Sequence, residues 1–300
     1  MSAASSVATG LAAALGSAVK VLRRVAGGDL NDAYAARLAD GRLVFVKTSA
    51  DAAPGGYTAE AAGLRWIAAA TGAPAVPEVL GVVDPPGPGS GPRMLVLSWV
   101  DSGRLSGAGA EALGQGLAAL HRAGASGHCV APPGAPPGLR IGPLELPAGS
   151  ADTWAEAYAT LRLMPLACRA ASSGALTGDG LAAVERVCER LPELAGPPEP
   201  PARLHGDLWA GNVLADAAGM PCLIDPAAYG GHREMDLAML RLFGGPGERC
   251  FRAYDEAFPL ADGHGDRVEL WQLFPLLVHA TLFGAGYGRR VTAIANQYAG

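Results

Sequence analysis

The sequence predicts an α+β fold with a small β-rich N-terminal lobe, residues 1–100, and a larger helical C-terminal lobe, residues 101–300. Two observations support this prediction. Short apolar runs separated by turn residues dominate the first hundred positions, whereas apolar residues recur at helical spacing through most of the remainder. The change in character falls near residues 98–103, which predicts a hinge between the two lobes.

The composition excludes several classes of protein. Of the 300 residues, 50% are hydrophobic and 17% are charged, which excludes a disordered chain. The net charge of −5 argues against a nucleic-acid partner, because such a partner requires a basic surface. Uninterrupted apolar runs stay shorter than a bilayer-spanning helix, so we expect no membrane contact. Five cysteines without a C-x-x-C pair indicate a reduced, cytoplasmic protein. The oligomeric state stays open.

The N-terminal lobe is predicted to begin with a helix, because Leu11, Leu15, Ala18 and Leu22 recur at helical spacing. Strands, one further helix and two more strands follow in the order VLRRVA, AYAARLA, RLVFVK, YTAEAAGLRWIAAA (helix), VLGVVD and RMLVLSWV. The Asp40-Gly41 pair predicts a hairpin turn between the second and third strands.

The C-terminal lobe is predicted to consist of helices around a short strand-rich segment. That segment contains RLHGDLWAGNVL and PCLIDPA, and the breaker run AGPPEPP precedes it. The helices on either side are EALGQGLAALHRAG, ADTWAEAYATLRLMPLACRAA, DGLAAVERVCERL, EMDLAMLRLF, CFRAYDEAF and DRVELWQLFPLLVHATLFGAG.

The strand-rich segment carries the strongest chemical signal. Asp207 and Asn212 lie five residues apart on one loop, and Asp225 ends a strand eighteen residues after Asp207. Phosphoryl transfer needs a carboxylate to orient the attacking hydroxyl and oxygen ligands to hold Mg²⁺ against the phosphates of ATP. We therefore predict Asp207 as the catalytic base, and Asn212 and Asp225 as metal ligands, in a protein-kinase-like fold.

One lysine is a candidate for binding the phosphates of the nucleotide. Lys47 ends the apolar strand LVFVK, and the sequence contains only one other lysine, Lys20. In the kinase plan a strand lysine contacts the phosphates and is held by a helix glutamate. Glu60 on the next helix is the preferred partner, and Glu78, beside Pro77, is the alternative.

Two further segments are candidates for nucleotide binding by position. Gly27, Gly28 and Asn31 lie in the turn GGDLND, one strand before Lys47, where backbone N–H groups can cover phosphates. Ser98, Trp99 and Val100 lie at the hinge, where their backbone groups can meet the adenine ring. Neither segment shows the G-x-G-x-x-G pattern.

The motifs LHGDLWAGN, IDPAAYGGHREMDLAMLRLFGG and FGAGYGRR, with the earlier GGDLNDAY…VFVK and EAAGLRW, resemble the fructosamine kinase (ketosamine-3-kinase) family from about residue 19 onward. The family is related to the aminoglycoside and choline kinases. The resemblance implies phosphorylation, by ATP and Mg²⁺, of the sugar 3-hydroxyl of a ketosamine, and so a role in protein deglycation. The acceptor is then a small sugar-amine or a glycated protein. The same roles follow for Asp207, Asn212, Asp225, Lys47 and Glu60.

One stretch departs from the family pattern. Where relatives usually have a D-N-Y-I-G-type segment, this chain reads LRIGPLE over residues 139–145. The departure concerns the contacts to the sugar-amine and leaves the phosphate-binding residues intact.

Three residues near the motif have two interpretations each. His232 and Arg233 either brace the catalytic loop, in a network with Glu234 and Asp236, or contact substrate or phosphate. Trp209 either stacks on a sugar ring or packs in the core, and the core is the preferred interpretation.

The main alternative is a kinase of the same fold acting on another cationic alcohol, such as an aminoglycoside or choline. An acidic pocket for that acceptor could come from Glu145, Asp152 and Glu156. A non-catalytic nucleotide-binding module would predict damaged catalytic positions, which are intact here. A protein kinase is disfavoured, because the sequence lacks D-F-G and A-P-E motifs and a recognisable activation loop after Asp225.

Overall fold

The computed structural model describes residues 3–25, 32–49, 52–84 and 93–300. The glycine-rich turn with Gly27, Gly28 and Asn31 lies outside these ranges, so its predicted contact with the phosphates stays a prediction.

The N-terminal lobe is an antiparallel five-stranded sheet with the strand order β1-β2-β3-β5-β4 and one helix on each face. Its elements are α1 (Ala3–Leu15), β1 (Val19–Val25), β2 (Asp32–Leu38), β3 (Leu43–Ser49), α2 (Gly56–Ala68), β4 (Val79–Val83) and β5 (Arg93–Ser98). The predicted opening helix is shorter than the leucine spacing suggests. It ends at Leu15 because Gly16 takes a left-handed φ of 64°, and Leu22 lies in β1.

Strand β3 shows how the sheet directs a charged side chain. Side chains along a strand alternate between its two faces. Val44 and Val46 pack with the cluster that contains α1, whereas Phe45 packs with α2. Lys47 continues the second series and faces α2, which places its ammonium group near Glu60.

The C-terminal lobe packs helices around short hairpins. Its elements are α3 (Gly107–Arg122), β6 (Leu139–Ile141), β7 (Leu144–Leu146), α4 (Trp154–Ala157), a π-helical segment (Tyr158–Leu163), α5 (Met164–Ser172), α6 (Gly178–Leu194), β8 (Ala202–Leu204), a 3-10 turn (Ala210–Asn212), β9 (Val213–Ala215), β10 (Pro221–Leu223), β11 (Tyr229–Gly231), α7 (Glu234–Leu242), α8 (Glu248–Ala257), α9 (His264–Phe283) and α10 (Ala285–Tyr298).

Short antiparallel pairs arrange the motif residues. Strand β9 pairs with β10, and β8 pairs with β11, so the loop after β8 and the loop after β10 lie side by side. Asp207 and Asn212 lie on the first loop and Asp225 on the second. Within the described ranges, no helix is long and apolar enough to cross a bilayer.

Helix α2 is held at both ends. At its first turn, the Asp84 carboxylate accepts hydrogen bonds from the Thr58 backbone N–H and hydroxyl, both at 3.1 Å. At its last turn, Arg203 of the C-terminal lobe donates to the Trp66 carbonyl at 2.7 Å and lies over the Trp66 ring. The backbone N–H of Leu223 also donates to the Ala75 carbonyl just beyond the helix. The two lobes are therefore joined along α2 as well as at the hinge.

Candidate active site

A cleft of about 860 Å³ lies between the lobes and brings together the residues predicted from the motifs. It is lined at one end by charged and amide side chains from β3, α2 and the two motif loops, namely Lys47, Glu60, Asp207, Asn212 and Asp225. We call this part the phosphate end. The other part is lined largely by aromatic and aliphatic side chains, and we call it the acceptor end.

Lys47 is fixed by two carboxylates at the phosphate end. Its Nζ lies 3.0 and 2.9 Å from the two Glu60 oxygens and 3.1 Å from Asp225 Oδ1. Burial alone lowers the pKa of Lys47, but Glu60 and Asp225 more than reverse this, so its pKa lies above its usual range. Glu78 is exposed and takes no part, so the alternative pairing is wrong and the pairing with Glu60 is the one formed.

Glu60 and Asp207 both resist ionisation. Burial raises the pKa of Glu60 to about 7 despite the attraction of Lys47, and Asp225 adds to the rise. Burial and the nearby charge of Asp225 raise the pKa of Asp207 to about 6. Both shifts have the same physical origin, since carboxylates are crowded together in a region of low solvation.

The loop with Asp207 is held in place by a buried carboxylate. Asp236, near the start of α7, accepts hydrogen bonds from the backbone N–H groups of His205 at 2.7 Å and Gly206 at 2.9 Å. His121 lies 3.3 Å from the same carboxylate. Gly206 has a φ of 83°, and a Cβ there would lie only 1.9 Å from the Ala227 carbonyl oxygen. The tight turn therefore requires glycine, and the bracing role predicted for Asp236 agrees with these contacts.

His205 connects the two motif loops. Its Nε2 lies 3.0 Å from the Ile224 carbonyl oxygen, and its Nδ1 accepts from the Asp207 backbone N–H at 3.3 Å. This pattern fixes a neutral ring with its proton on Nε2. Burial lowers the pKa of His205, in keeping with the neutral form. The ring thus positions Asp207 relative to the strand that delivers Asp225.

The side chain of Asn212 is oriented by hydrogen bonds to Asp207. Its Nδ2 donates to the Asp207 backbone carbonyl at 2.8 Å and to Asp207 Oδ2 at 3.2 Å. Both Nδ2 contacts go to Asp207, which leaves Oδ1 as the atom able to bind a cation. Asp225 takes a φ of 55°, which is uncommon for a non-glycine residue and is a feature of functional sites.

The donor set fits Mg²⁺. Asn212 and Asp225 offer hard oxygen atoms, and Mg²⁺ is commonly held by one or two protein ligands together with substrate phosphates and water. In the part of the chain that the structure describes, no group of three or more His, Cys, Asp or Glu side chains is arranged to hold a metal alone. The site therefore suits a metal that arrives with the nucleotide.

The acceptor end is built from aromatic rings, and of these only Trp209 was considered in the sequence analysis. The ring of Trp209 meets Phe243 edge to face at 6.4 Å between centroids, and His279 lies 4.9 Å from Phe243. Phe283 and Tyr287 continue the cluster beside His279. His279, Phe283 and Tyr287 recur every four residues, and this helical spacing is the pattern from which the sequence could have indicated the aromatic cluster.

Trp209 is 39% exposed and lines the cleft, so the preferred interpretation as a core residue is wrong. The side chain follows the tight HGD turn and points out of the packed interior. Its exposed aromatic face is available to a sugar ring, as the other interpretation proposed.

His232 and Arg233 lie outside the cleft lining and are buried in a separate charge cluster, which we call the brace. Arg233 donates to both Glu199 oxygens at 2.7 Å. Burial alone would raise the pKa of Glu199, but Arg233 holds it below its usual range. His232 stacks on Trp271, and burial lowers its pKa to about 4. These contacts fit the bracing interpretation and not a direct contact with substrate.

A second ion pair completes the brace. Arg267 donates to the two Glu234 oxygens at 2.9 and 2.6 Å, and the indole N–H of Trp271 donates to Glu234 at 2.7 Å. Through α7, Glu234 and Asp236 link the brace to the loop that carries Asp207.

The hinge residues do not line the described cleft. The Ser98 backbone N–H donates to the Glu78 carbonyl at 2.9 Å, so the backbone contact with adenine predicted for Ser98 is left to its carbonyl group and stays a prediction. The indole N–H of Trp99 donates to Asp101 at 2.9 Å. Adenine contacts from the backbones of Trp99 and Val100 stay a prediction.

The acidic pocket expected for a polycationic acceptor is not formed. None of Glu145, Asp152 and Glu156 lines the cleft, and Glu145 is 59% exposed and paired with Arg140. The acids that do line the cleft lie near Lys47 and the catalytic loop.

The two-lobed architecture and this site define a phosphotransferase of the protein-kinase-like class. An aminoglycoside phosphotransferase complexed with ADP and hygromycin B shares the fold, with a TM-score of 0.61 at 19% identity over 98% of each chain. The fructosamine kinase family model matches residues 3–299. The chain belongs to this family, and it is a phosphotransferase acting on a sugar hydroxyl, of the ketosamine kinase type.

Individual relatives agree over nearly the whole length. A probable ketoamine kinase from Synechocystis is 34% identical over 92% of this chain and 89% of its own. The ketosamine-3-kinase of Mus musculus is 34% identical over 90% and 92%. The solved structure of a candidate fructosamine-3-kinase from Thermobifida fusca has a TM-score of 0.87 at 42% identity, covering 97% and 98%.

Proposed function

We propose that this chain transfers the γ-phosphoryl group of Mg²⁺-bound ATP to the 3-hydroxyl of a ketosamine, with Asp207 as the general base. Convergence of Lys47, Asp207, Asn212 and Asp225 in one cleft, next to an aromatic acceptor end, is the observation that supports this assignment. The free cysteines of the described chain support a reducing, cytoplasmic setting.

Asp207 accepts the proton of the attacking hydroxyl. Its carboxylate is held by the amide of Asn212, and its backbone by His205, so the carboxylate keeps a fixed orientation at the lining of the cleft. Phosphoryl transfer depends mainly on such positioning, since little covalent chemistry is required of the protein.

Lys47 anchors the nucleotide phosphates. Its contacts to Glu60 and Asp225 hold the ammonium group at the phosphate end. Asn212 Oδ1 and the Asp225 carboxylate are the residues that would hold Mg²⁺. When bound, the ion supplies positive charge that offsets the charge developing on the transferred phosphoryl group.

A product screen tests the proposal. The purified protein is incubated with ATP and Mg²⁺ and, in parallel, with fructose-lysine, ribulose-lysine, an aminoglycoside or choline. Mass spectrometry then detects addition of one phosphoryl group. We expect product from the ketosamines only, and none when Mg²⁺ is chelated with EDTA. Phosphorylation of the aminoglycoside or choline alone, or no product from any acceptor, would contradict the proposal.

A further inference from the structure

The described lining of the cleft distributes its charge unevenly. Its four acids, Glu60, Asp207, Asp225 and Asp236, all belong to α2, the motif loops or the start of α7. Apart from Lys47, whose ammonium group is already paired with two of these acids, the lining contains one cationic side chain. That side chain is Arg140. His279 also lines the cleft, but burial lowers its pKa and so favours the neutral ring.

Arg140 lies on a β-hairpin that is anchored in the core of the C-terminal lobe. It lies on β6, directly across the hairpin from Glu145 on β7. On the same hairpin, Leu139 and Leu146 are buried in the main core of the C-terminal lobe. The hairpin is thereby anchored in the lobe and holds Arg140 at the lining of the cleft.

The guanidinium group of Arg140 is only partly engaged. Its Nη2 lies 3.2 Å from Glu145 Oε2, while its Nε is buried and has no hydrogen-bond partner among the described residues. A guanidinium carries five N–H donors in a planar fork that matches an oxyanion with two oxygens. The Arg140 side chain is 20% exposed and that of Glu145 is 59% exposed, so their ion pair is weak and a ligand can displace it.

We propose that Arg140 binds a carboxylate carried by the acceptor, so that the preferred acceptors are ketosamines formed on free amino acids. This inference rests on the proposed function and narrows its substrate class. The carboxylate is the group of the acceptor that needs a cation. The aliphatic part of the amino acid would pack on the apolar side chains of the acceptor end. The fork of Arg140 holds the carboxylate by charge-assisted hydrogen bonds.

Two matched acceptors test the proposal. Fructose linked to the ε-amine of lysine and fructose linked to cadaverine differ only by the carboxylate. For the parent protein we expect kcat/KM to be about ten- to a hundred-fold higher for the lysine adduct, the range for a hydrogen bond to a charged group. Arg140→Met should reduce the ratio of the two kcat/KM values to about one, and Arg140→Lys should retain part of it.

Glu145→Gln is the matched control. It removes the ion pair and leaves Arg140 free, so the ratio should persist. If Glu145→Gln loses the ratio as fully as Arg140→Met does, the pair is structural and the proposal is wrong.

The remaining outcomes are also decisive. A parent protein that phosphorylates both adducts equally contradicts the carboxylate site and leaves the kinase assignment intact. A ratio that persists in Arg140→Met overturns the proposal, and a raised KM for ATP in the same variant would assign Arg140 to a nucleotide phosphate. If neither adduct is phosphorylated, the proposed function itself has failed.

Discussion

The protein contains two clusters of buried charge, the brace in the C-terminal lobe and the phosphate end between the lobes, and they are built on different principles. In the brace, two arginines face two glutamates, with Arg233 on Glu199 and Arg267 on Glu234. At the phosphate end, by contrast, a single ammonium group serves several carboxylates.

The difference is visible in the ionisation of the acids. At the phosphate end Lys47 faces Glu60, Asp207 and Asp225, and the pKa values of Glu60 and Asp207 are raised to about 7 and about 6. In the brace the pKa of Glu199 is lowered. Paired charges therefore mark a structural cluster here. A shortage of positive charge marks the cluster that a ligand completes, and in the proposed function that ligand is the metal ion that accompanies ATP.

The largest expected effect comes from the acid-rich cluster. Asp207→Asn should lower kcat by about 10²- to 10⁴-fold, the usual contribution of a general base. The melting temperature at pH 8 should be no lower than that of the parent, because a neutral amide is less costly to bury than a carboxylate. Steady-state kinetics and thermal denaturation measure both quantities. A variant with the parental kcat would remove Asp207 from the mechanism.

Substitutions in the brace should change the free energy of unfolding and not the turnover of the enzyme. His232 has a folded-state pKa of about 4 against 6.5 in the unfolded chain, so the unfolded state binds a proton first as the pH falls. The contribution of the neutral His232 ring to the free energy of unfolding is therefore present above pH 6.5. This contribution decreases by about 3 kcal/mol as the pH falls to 4. Urea denaturation at pH 7 and pH 4 should show a smaller loss for His232→Gln. Equal losses in both proteins would show that His232 is protonated in the folded state.

Removing the one cation of the phosphate end should weaken nucleotide binding. Lys47→Met is expected to lower kcat/KM for ATP by about ten- to a hundred-fold, since a hydrogen bond to a charged group is lost. The matched control is Lys20→Met on the exposed edge strand β1, which removes the only other lysine. If the two variants have the same kcat/KM for ATP, Lys47 does not contact the nucleotide.

The smallest effect is expected at the acceptor end. Trp209→Leu should raise KM for the ketosamine by about five- to tenfold, because an aromatic face contributes roughly 1 kcal/mol beyond its area. KM for ATP should stay the same in the same preparation. If the substitution raises KM for ATP alone, Trp209 lies on the nucleotide side of the cleft.

The phosphate end could be predicted from sequence because its chemistry is local. Asp207, Asn212 and Asp225 occur within nineteen residues, and the alternation along β3 places Lys47 beside the helix that carries Glu60. These side chains follow from strand periodicity and from the demands of phosphoryl transfer.

The acceptor end could not be predicted in the same way. Phe243 and Tyr287 are far apart in sequence, and both contact His279 because α7 and α10 each pack against α9. The sequence alone does not show whether Trp209 is buried, because its exposure depends on how the loop after β8 packs against the rest of the lobe. The hairpin of β6 and β7 has strands of three residues, too short for a periodic signal.

The clamping of α2 at both ends has a consequence for control of the enzyme. Protein kinases are commonly switched by swinging the corresponding glutamate away from the lysine. In this chain Asp84 and Arg203 hold the helix that bears Glu60, and Glu60 is paired with Lys47. Moving Glu60 away from Lys47 would require the contacts at both ends of α2 to break, so we expect this pair to stay formed and not to act as a switch.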